Sequence, residues 1–269
     1  MRVLLANDDG IRAPGIEALA QRFSRDHEVY VVAPNVNKSA ASCAMTVALP
    51  LSFERYESPS LPCKAAYALG GTPVDCTLAG VGVDLIPQID VVVSGINNGP
   101  NVGTDIVYSG TCGAARQAAI LGIPGIALSI DTTGWRDPAD TSENMYYEPL
   151  ADFACSNLER LIKLCGERRQ YGHRFVYDCF VNINAPMMPK YRGAKFCSPC
   201  IRRYWDKITL GRDENGAMTS TCGGEYQVFT FGDESIDAKA TGSGYVAISA
   251  VYCEPAALDL RGDAEGFLV

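Results

Sequence analysis

The stretch RVLLANDDGIRAPGIEALAQRFSRDHEVYVVAP, residues 2–34, contains a complete strand–helix–strand pattern. Two almost continuous apolar runs, Arg2–Ala6 and Glu28–Pro34, are typical of strands buried on both faces of a sheet. Between them, Pro14 suits the first turn of a helix, and apolar residues recur after it at helical spacing. A strand, a helix and a strand in this order predict a parallel pair joined by a crossover helix, and therefore an α/β protein.

The rest of the first 185 residues and the C-terminal part extend this pattern. Apolar runs predict strands over Ile89–Gly95, Gly125–Ile130 and Gly244–Cys253. Apolar residues at helical spacing predict helices over Thr111–Leu121 and Tyr147–Cys165. Together these elements predict a mainly parallel, twisted sheet flanked by helices.

The sequence changes in character after about residue 185. A Pro-rich stretch comes first, the turn sequence DENG follows at residues 213–216, and Glu225–Gly232 alternates like an exposed antiparallel strand. We therefore predict a catalytic core over 1–185, a C-terminal β-hairpin arm for oligomerisation within 186–243, and a return to the core over 244–269.

Composition narrows the functional class of the chain. Its 269 residues carry a formal net charge of −8, which disfavours a surface for polymeric nucleic acid because phosphate backbones would be repelled. No apolar run approaches the roughly 18 residues that a membrane span needs. Acidic residues at positions 8 and 9 come too early for a secretory signal, so we expect a cytoplasmic protein without membrane contact.

The eleven cysteines lack the spacing of a disulfide framework, and we expect free thiols. The motif CSPC, Cys197 to Cys200, is compatible with either a reduced structural pair or a zinc or redox site. The two histidines, His27 and His173, do not lie next to a nucleophile in the sequence, which disfavours a catalytic triad.

Polar residues follow three of the predicted strands directly. Asn7, Asp8 and Asp9 follow the first strand, Ser39 lies in the loop after the second, and a loop rich in Gly and Asn follows the third. Because ligands bind beyond the carboxyl ends of the strands in such sheets, these loops are expected to meet at one edge.

Two adjacent carboxylates at a strand end suit a divalent cation such as Mg²⁺ or Mn²⁺, which prefers oxygen ligands. The alternative is that Asp8 or Asp9 caps the helix that begins near Pro14. Ser39 is either a hydroxyl ligand or an ordinary turn serine. Asn97 offers a neutral oxygen ligand or a donor to an oxyanion.

The third loop ends in YSGTCGAA, which places Ser109, Gly110 and Thr111 at a predicted helix start. Backbone N–H groups and hydroxyls there can form an anion site, although plain helix capping is the alternative. The spacing matches neither the dinucleotide fingerprint nor a P-loop. A metal facing a phosphate site indicates metal-assisted phosphoryl transfer to water, with Asn7 and Gly95 as further phosphate-binding candidates.

At these residues the sequence resembles the SurE family of metal-dependent 5′/3′-nucleotidases. The matching stretches are VLLANDDGIRAPGIEAL near the start, DVVVSGINNGPNVGTDIVYSGTCGAARQAAILGIPGIALS over residues 90–129, and IDAKATGSGYVAIS near the end. The resemblance implies a Rossmann-like core whose hairpin arm forms homodimers or homotetramers.

The resemblance also implies a site and an activity. A cation bound by Asp8, Asp9, Ser39 and Asn97 would activate water for hydrolysis of nucleoside 5′- or 3′-monophosphates and of short polyphosphate, with Asp8, Asp9 and Asn97 as catalytic residues. The segment Ser109–Thr111 corresponds to the phosphate-binding segment. Asn98 and Asp237 are accessory positions, the latter linked to the site or to subunit arrangement.

The sequence departs from the family pattern in the loop after the second strand. Ala40 stands where the family usually has Gly, which bears on the loop conformation because Gly alone enters positive φ freely. A haloacid-dehalogenase-like phosphatase would use one Asp as a nucleophile, but it carries its acids in a D-x-D spacing rather than adjacent. A catalytically weak nucleotide-binding regulator is the rival outside enzymology.

Overall fold

The structure is a computed structural model, and it describes residues 1–132, 146–205, 207–222 and 227–255. These residues form fifteen strands, six α-helices and one 3-10 helix, Gly103–Val107. In chain order the strands are β1 (Arg2–Ala6), β2 (Glu28–Pro34), β3 (Phe53–Arg55), β4 (Ala65–Leu69), β5 (Val91–Asn98), β6 (Gly125–Asp131), β7 (Arg168–Tyr171), β8 (Arg174–Tyr177), β9 (Cys179–Pro186), β10 (Ala194–Phe196), β11 (Ile201–Trp205), β12 (Ile208–Arg212), β13 (Met218–Cys222), β14 (Gln227–Phe231) and β15 (Val246–Tyr252). The helices are α1 (Pro14–Phe23), α2 (Pro73–Gly82), α3 (Gly110–Ile120), α4 (Glu148–Ser156), α5 (Leu158–Lys163) and α6 (Asp237–Gly242).

Nine strands form one central sheet in the order β10-β15-β9-β6-β5-β1-β2-β4-β3. All neighbours are parallel except the pairs β15–β9 and β3–β4, which are antiparallel. The prediction of an α/β fold with a mainly parallel sheet is confirmed. Strand β1 lies inside the sheet next to its central strand β5, so the residues that follow β1 project from near the middle of the sheet edge.

The predicted first helix is also confirmed, and its sequence explains it. Helix α1 begins at Pro14, and its apolar residues Ile16, Leu19, Ala20 and Phe23 are fully buried. Burying a large apolar side chain contributes about 1.5–3 kcal/mol to the free energy of unfolding, so this face is sufficient to fix α1 against the sheet.

Three features differ from the predictions. Strand β9 was not predicted, although it lies inside the sheet, and neither were β4 and α2. The single helix predicted over Tyr147–Cys165 is divided into α4 and α5 at Asn157, whose side-chain amide donates to the Phe153 carbonyl oxygen at 2.9 Å. Such bonds from Asn side chains compete with the regular helical pattern.

The hairpin arm comprises Ile201–Phe231, where β11 pairs with β14 and β12 with β13, both antiparallel. The residues of β12 and β13 are all exposed. The surrounding region 186–243 also includes β10, which belongs to the central sheet, and α6. All eleven cysteines are free thiols, as expected. Among the described residues, no helix has the length and apolar character needed to span a membrane.

Candidate active site

The polar loops that follow β1, β2 and β5 meet at one edge of the sheet, as the sequence predicted. The Lys38 N–H donates to the Asp8 carbonyl oxygen at 2.7 Å, which joins the second loop to the first. The Asn98 N–H donates to Asp9 Oδ2 at 3.1 Å, which joins the end of β5 to the same loop. Helix α3 completes the edge, because Thr111 donates its hydroxyl proton to Asp8 Oδ1 at 2.6 Å.

Asp8 is a buried carboxylate at the N-terminus of α3 and is only 3% exposed. Burial raises its pKa to about 6, and the nearby charge of Asp9 adds to the rise, whereas the hydrogen bond from Thr111 lowers it. A helix N-terminus favours a negative charge by about 0.3–1 kcal/mol, too little to offset a rise of this size. Without a cation nearby, Asp8 is therefore held in a site that disfavours its charge.

Asp9 is less buried and is tied to the second loop. Burial raises the pKa of Asp9, while hydrogen bonds from the Asn98 N–H and the Asn37 amide lower it. Asn37 donates to Asp9 Oδ1 at 3.3 Å and accepts from the Ser39 N–H at 2.8 Å. A single asparagine thus links Asp9 to the backbone of Ser39, whose side chain is exposed.

The helix-cap alternative for the two aspartates is wrong. The N-cap of α1 is Ala13, and no side-chain hydrogen bond caps this helix. Neither Asp8 nor Asp9 is thus accounted for by capping.

Asn97 and Gly95 lie in the irregular end of β5. The Asn97 side-chain nitrogen donates to the Gly99 carbonyl oxygen at 2.8 Å, which leaves its amide oxygen available as an acceptor or ligand. Gly95 has a φ of +137°, and a Cβ there would lie 2.3 Å from the Leu128 carbonyl oxygen. Only glycine fits this position, so the structure gives Gly95 a role in backbone packing, and its phosphate-binding role stays a prediction.

The start of α3 combines capping with close packing. Ser109 is the N-cap and accepts from the Cys112 N–H at 3.0 Å, so the capping alternative for Ser109 is confirmed. A Cβ on Gly110 would lie 2.9 Å from the Asp8 Cβ, which shows how closely the helix N-terminus approaches the carboxylate. Phosphate binding by Ser109, Gly110 and Thr111 stays a prediction.

The side chains of Asn7 and Asp237 bind backbone groups rather than the carboxylates of Asp8 and Asp9. The Asn7 side chain donates to the Gly10 carbonyl oxygen at 2.8 Å and accepts from the Gly10 N–H at 3.1 Å, which shapes the turn after the aspartates. Asp237 is fully buried and accepts from the N–H groups of Gly103 and Cys200. It therefore links the 3-10 helix to the chain just before the arm.

Two neighbouring cavities open at this edge. The first, which we call the Asp8 cavity, has a volume of about 340 Å³, within the range of small-molecule sites. It is lined by Asp8, Ser39, Ala40, Asn97, Asn98, Pro100, Asn101, Asp105, Tyr108, Ser109 and Tyr204. The second, the Asp9 cavity, has a volume of about 410 Å³ and includes Asp9, Arg12, Val36, Asn37, Asn98 and Tyr147 in its lining.

Comparison with known proteins now identifies the family. A family model described as survival protein SurE matches residues 3–206. The chain belongs to the SurE family. It is 36% identical over 254 residues to a protein named 5′-nucleotidase SurE from Clostridium botulinum strain Alaska E43, covering 94% of this chain and 93% of that one. It is 34% identical over 256 residues to a protein named 5′/3′-nucleotidase SurE from Erwinia tasmaniensis, covering 94% and 91%.

A solved structure agrees with this membership. The crystal structure of a SurE protein from Aquifex aeolicus matches with a TM-score of 0.70 and 29% sequence identity, covering 94% of each chain. The agreement therefore extends beyond the sheet edge to nearly the whole chain.

For a SurE family member, the donor set at this edge fits a hard divalent cation. The candidate donors are the carboxylates of Asp8 and Asp9, the amide oxygen of Asn97 and the hydroxyl of Ser39, all of them oxygen atoms as Mg²⁺ and Mn²⁺ prefer. Both carboxylates have raised pKa values, which a bound cation would reverse. The described part of the chain contains no cluster of three or more His, Cys, Asp or Glu suited to a metal ion, and the candidate donor set has only two carboxylates.

Ala40 lies in the loop after β2 with a backbone conformation that is strained for alanine. Its φ is +60°, in the left-handed region that disfavours alanine by roughly 1–2 kcal/mol. A glycine at position 40 would adopt this φ without that cost.

Sequence reasoning missed a buried asparagine network that holds the third loop. Asn101 accepts at its carbonyl oxygen from the side chains of Asn182 and Asn184, at 2.8 and 3.1 Å. Its own N–H donates to Asn184 Oδ1 at 2.7 Å, and its side chain donates to Ser129 Oγ at 2.8 Å. The available signal was two asparagines alternating with apolar residues in VNINAP, which indicates polar side chains on one face of a buried strand.

Proposed function

We propose that this SurE family member is a metal-dependent phosphomonoesterase that hydrolyses nucleoside 5′-monophosphates, and 3′-monophosphates as well, to nucleoside and phosphate. Its relatives from Clostridium botulinum and Erwinia tasmaniensis carry the names 5′-nucleotidase and 5′/3′-nucleotidase. The observation that carries the proposal is that Asp8, Ser39, Asn97 and Ser109 line one cavity beside the N-terminus of α3.

The roles of the residues follow from their chemistry. Asp8, Asp9, Ser39 and Asn97 would hold Mg²⁺ or Mn²⁺, which would supply charge neutralisation for the phosphoryl group and a lower pKa for an attacking water. Thr111 orients Asp8 through its hydroxyl, and the N–H groups of Gly110 and Thr111 at the start of α3 would donate to a phosphate oxygen. One of the two aspartates takes up the proton that the attacking water releases.

Short polyphosphate is the second proposed substrate class, because the proposed contacts are made to the phosphoryl group. A nucleotide-binding regulator without turnover is the alternative, and it predicts tight AMP binding without phosphate release when Mn²⁺ is supplied. Self-association through the arm into homodimers or homotetramers is part of the proposal, supported by the exposed apolar residues of β12 and β13.

The test measures phosphate release from AMP with Mn²⁺ or Mg²⁺ by wild type, Asp8→Asn and Asp9→Asn. Each variant should lose more than about 100-fold in kcat/KM, because removing a residue that only orients a metal ligand already costs 10–100-fold. Asp84→Asn is the matched control, because Asp84 is exposed and lies outside both cavities. Circular dichroism checks folding, and full activity in both variants would refute the metal-centred proposal.

A further inference from the structure

Two tyrosines from distant parts of the sequence line the Asp8 cavity. Tyr108 immediately precedes the α3 cap Ser109 and is 58% exposed, so its ring offers surface to the cavity. Tyr204 belongs to β11, the first strand of the hairpin arm. The arm therefore contributes to the cavity of its own chain.

The structure holds Tyr204 in place through Asp105, a residue of the 3-10 helix. The Tyr204 hydroxyl donates to Asp105 Oδ1 at 2.7 Å, and Arg202 Nη1 donates to Asp105 Oδ2 at 2.6 Å. The Arg202 and Asp105 side chains are only 10% and 12% exposed, so this ion pair is shielded from water. The Arg202 N–H also donates to Thr104 Oγ1 at 3.0 Å, which fixes the backbone of β11 against the same helix.

The same 3-10 helix runs directly into the proposed phosphate site. The Tyr108 and Ser109 N–H groups both donate to the Asp105 carbonyl oxygen, at 3.0 and 3.1 Å. Asp105 therefore positions Tyr204 with its side chain and the Tyr108–Ser109 backbone with its carbonyl oxygen. The aromatic and the phosphate-binding parts of the cavity are tied to one residue.

We infer that Tyr108 and Tyr204 form the nucleobase-binding wall of the Asp8 cavity. This inference rests on the proposed function: with the phosphoryl group at Asp8, Asn97 and Ser109, the remainder of a nucleotide in this cavity meets the two tyrosine rings. Stacking of a base on an aromatic side chain contributes about 1–3 kcal/mol and depends little on which base is stacked. The wall therefore predicts a preference for nucleotides over base-free esters, with weak discrimination among bases.

The Asp9 cavity is the competing location for the base. It contains Arg12 and Tyr147, but Asp8, Ser39 and Ser109 do not line it. Tyr147 is 5% exposed, so its ring offers little surface for stacking. The Asp8 cavity brings together a phosphate-binding group and exposed aromatic surface, and it is the location we favour.

The experiment compares kcat/KM for AMP with that for ribose 5-phosphate, which lacks the base, in the presence of Mn²⁺. Tyr108→Ala and Tyr204→Ala should each lower the AMP to ribose 5-phosphate ratio by roughly 5- to 150-fold, mostly through KM for AMP. Tyr204→Phe keeps the ring and loses the bond to Asp105, so its ratio should fall less than that of Tyr204→Ala. Tyr171→Ala, at an exposed tyrosine on β7 outside both cavities, should keep the wild-type ratio.

The outcomes separate the inference from the proposed function. An unchanged ratio in Tyr108→Ala, whose side chain is largely exposed, together with an unchanged ratio in folded Tyr204→Ala, would overturn the inference. A ratio that falls in Arg12→Ala but in neither tyrosine variant would also overturn it and move the base to the Asp9 cavity. Failure of the wild type to hydrolyse either ester would instead refute the proposed function.

Discussion

The sheet edge around Asp8 and the hairpin arm differ in what their side chains contact. At the edge, polar groups are buried and paired within the chain, and Asp8 is 3% exposed with Thr111 as its partner. On the arm, large apolar side chains face outward, with Trp205 77% and Leu210 72% exposed. The carboxylate of Asp8 has a partner within its own chain, whereas the arm has apolar surface that one chain leaves uncovered.

Asp237 and Asp105 connect these two regions. Each uses a carboxylate to bind groups near the start of the arm, Asp237 through the Cys200 N–H and Asp105 through Arg202 and Tyr204. The arm strand is thus fixed at its base while its distal strands are exposed. Substitutions at the junction, at the edge and on the distal arm should therefore have effects of decreasing size on the free energy of unfolding.

The largest effect is expected for Asp237→Ala at the junction. Asp237 is fully buried and accepts from the N–H groups of Gly103, Cys200 and Ala238, at 2.7, 3.0 and 2.8 Å. Since each buried unpaired donor costs about 1–3 kcal/mol, the substitution should lower the free energy of unfolding by about 3–5 kcal/mol. Urea titration measures this loss, and Asp84→Ala at an exposed site should change stability by less than about 0.5 kcal/mol. Equal stability of the Asp237 variant and wild type would show that Asp237 does not fix the arm.

A smaller effect of opposite sign is expected for Asp8→Asn in chelator. The pKa of Asp8 in the folded chain is about 6, against 3.8 for an unperturbed aspartate. The folded chain holds the Asp8 proton more tightly than the unfolded chain does. The stability that this gives wild type is present below pH 4 and is lost as the pH rises through 6. The variant removes this dependence and retains an acceptor for Thr111, so at pH 7.5 it should be roughly 2–3 kcal/mol more stable than wild type.

Thermal unfolding between pH 4 and 8 measures this difference. The gap between Asp8→Asn and wild type should shrink as the pH falls towards 4, while Asp84→Asn follows wild type throughout. Adding Mn²⁺ at neutral pH should stabilise wild type and not Asp8→Asn, because a ligand stabilises only the folded state that binds it. A constant gap at all pH values would mean that Asp8 is not destabilised by burial of its charge.

Sequence patterns predicted the strands, helix and loops of the sheet edge better than the long-range hydrogen bonds that hold them in place. Local patterns were sufficient for β1, α1 and the convergence of the three loops, because apolar runs and strand ends are properties of short segments. Helix capping at Ser109 could also be anticipated, since its sequence signal lies within four residues.

Long-range partners could not be predicted in the same way. The bonds from Asn182 and Asn184 to Asn101, and from Arg202 and Tyr204 to Asp105, join segments that periodicity does not relate. Strand β9 was missed because its alternating asparagines interrupt the apolar run that marks a buried strand. The hydrogen bond from Thr111 to Asp8 likewise depends on how α3 packs against β5 and β6, which no local motif encodes.

The smallest effect on the isolated chain is expected for Leu210→Lys on the distal arm. Leu210 is already 72% exposed, so the free energy of unfolding of one chain should change by less than about 0.5 kcal/mol. If the arm binds a second copy, a buried lysine in that contact would lack a partner and the assembly should dissociate. Light scattering after size exclusion should then give a smaller mass for Leu210→Lys.

Thr209→Lys adds the same charge on the opposite face of β12, because successive side chains alternate, and should keep the wild-type mass. Equal masses for Leu210→Lys and wild type would show that this face of the arm is not the contact surface, and equal dissociation in both variants would attribute the effect to charge alone.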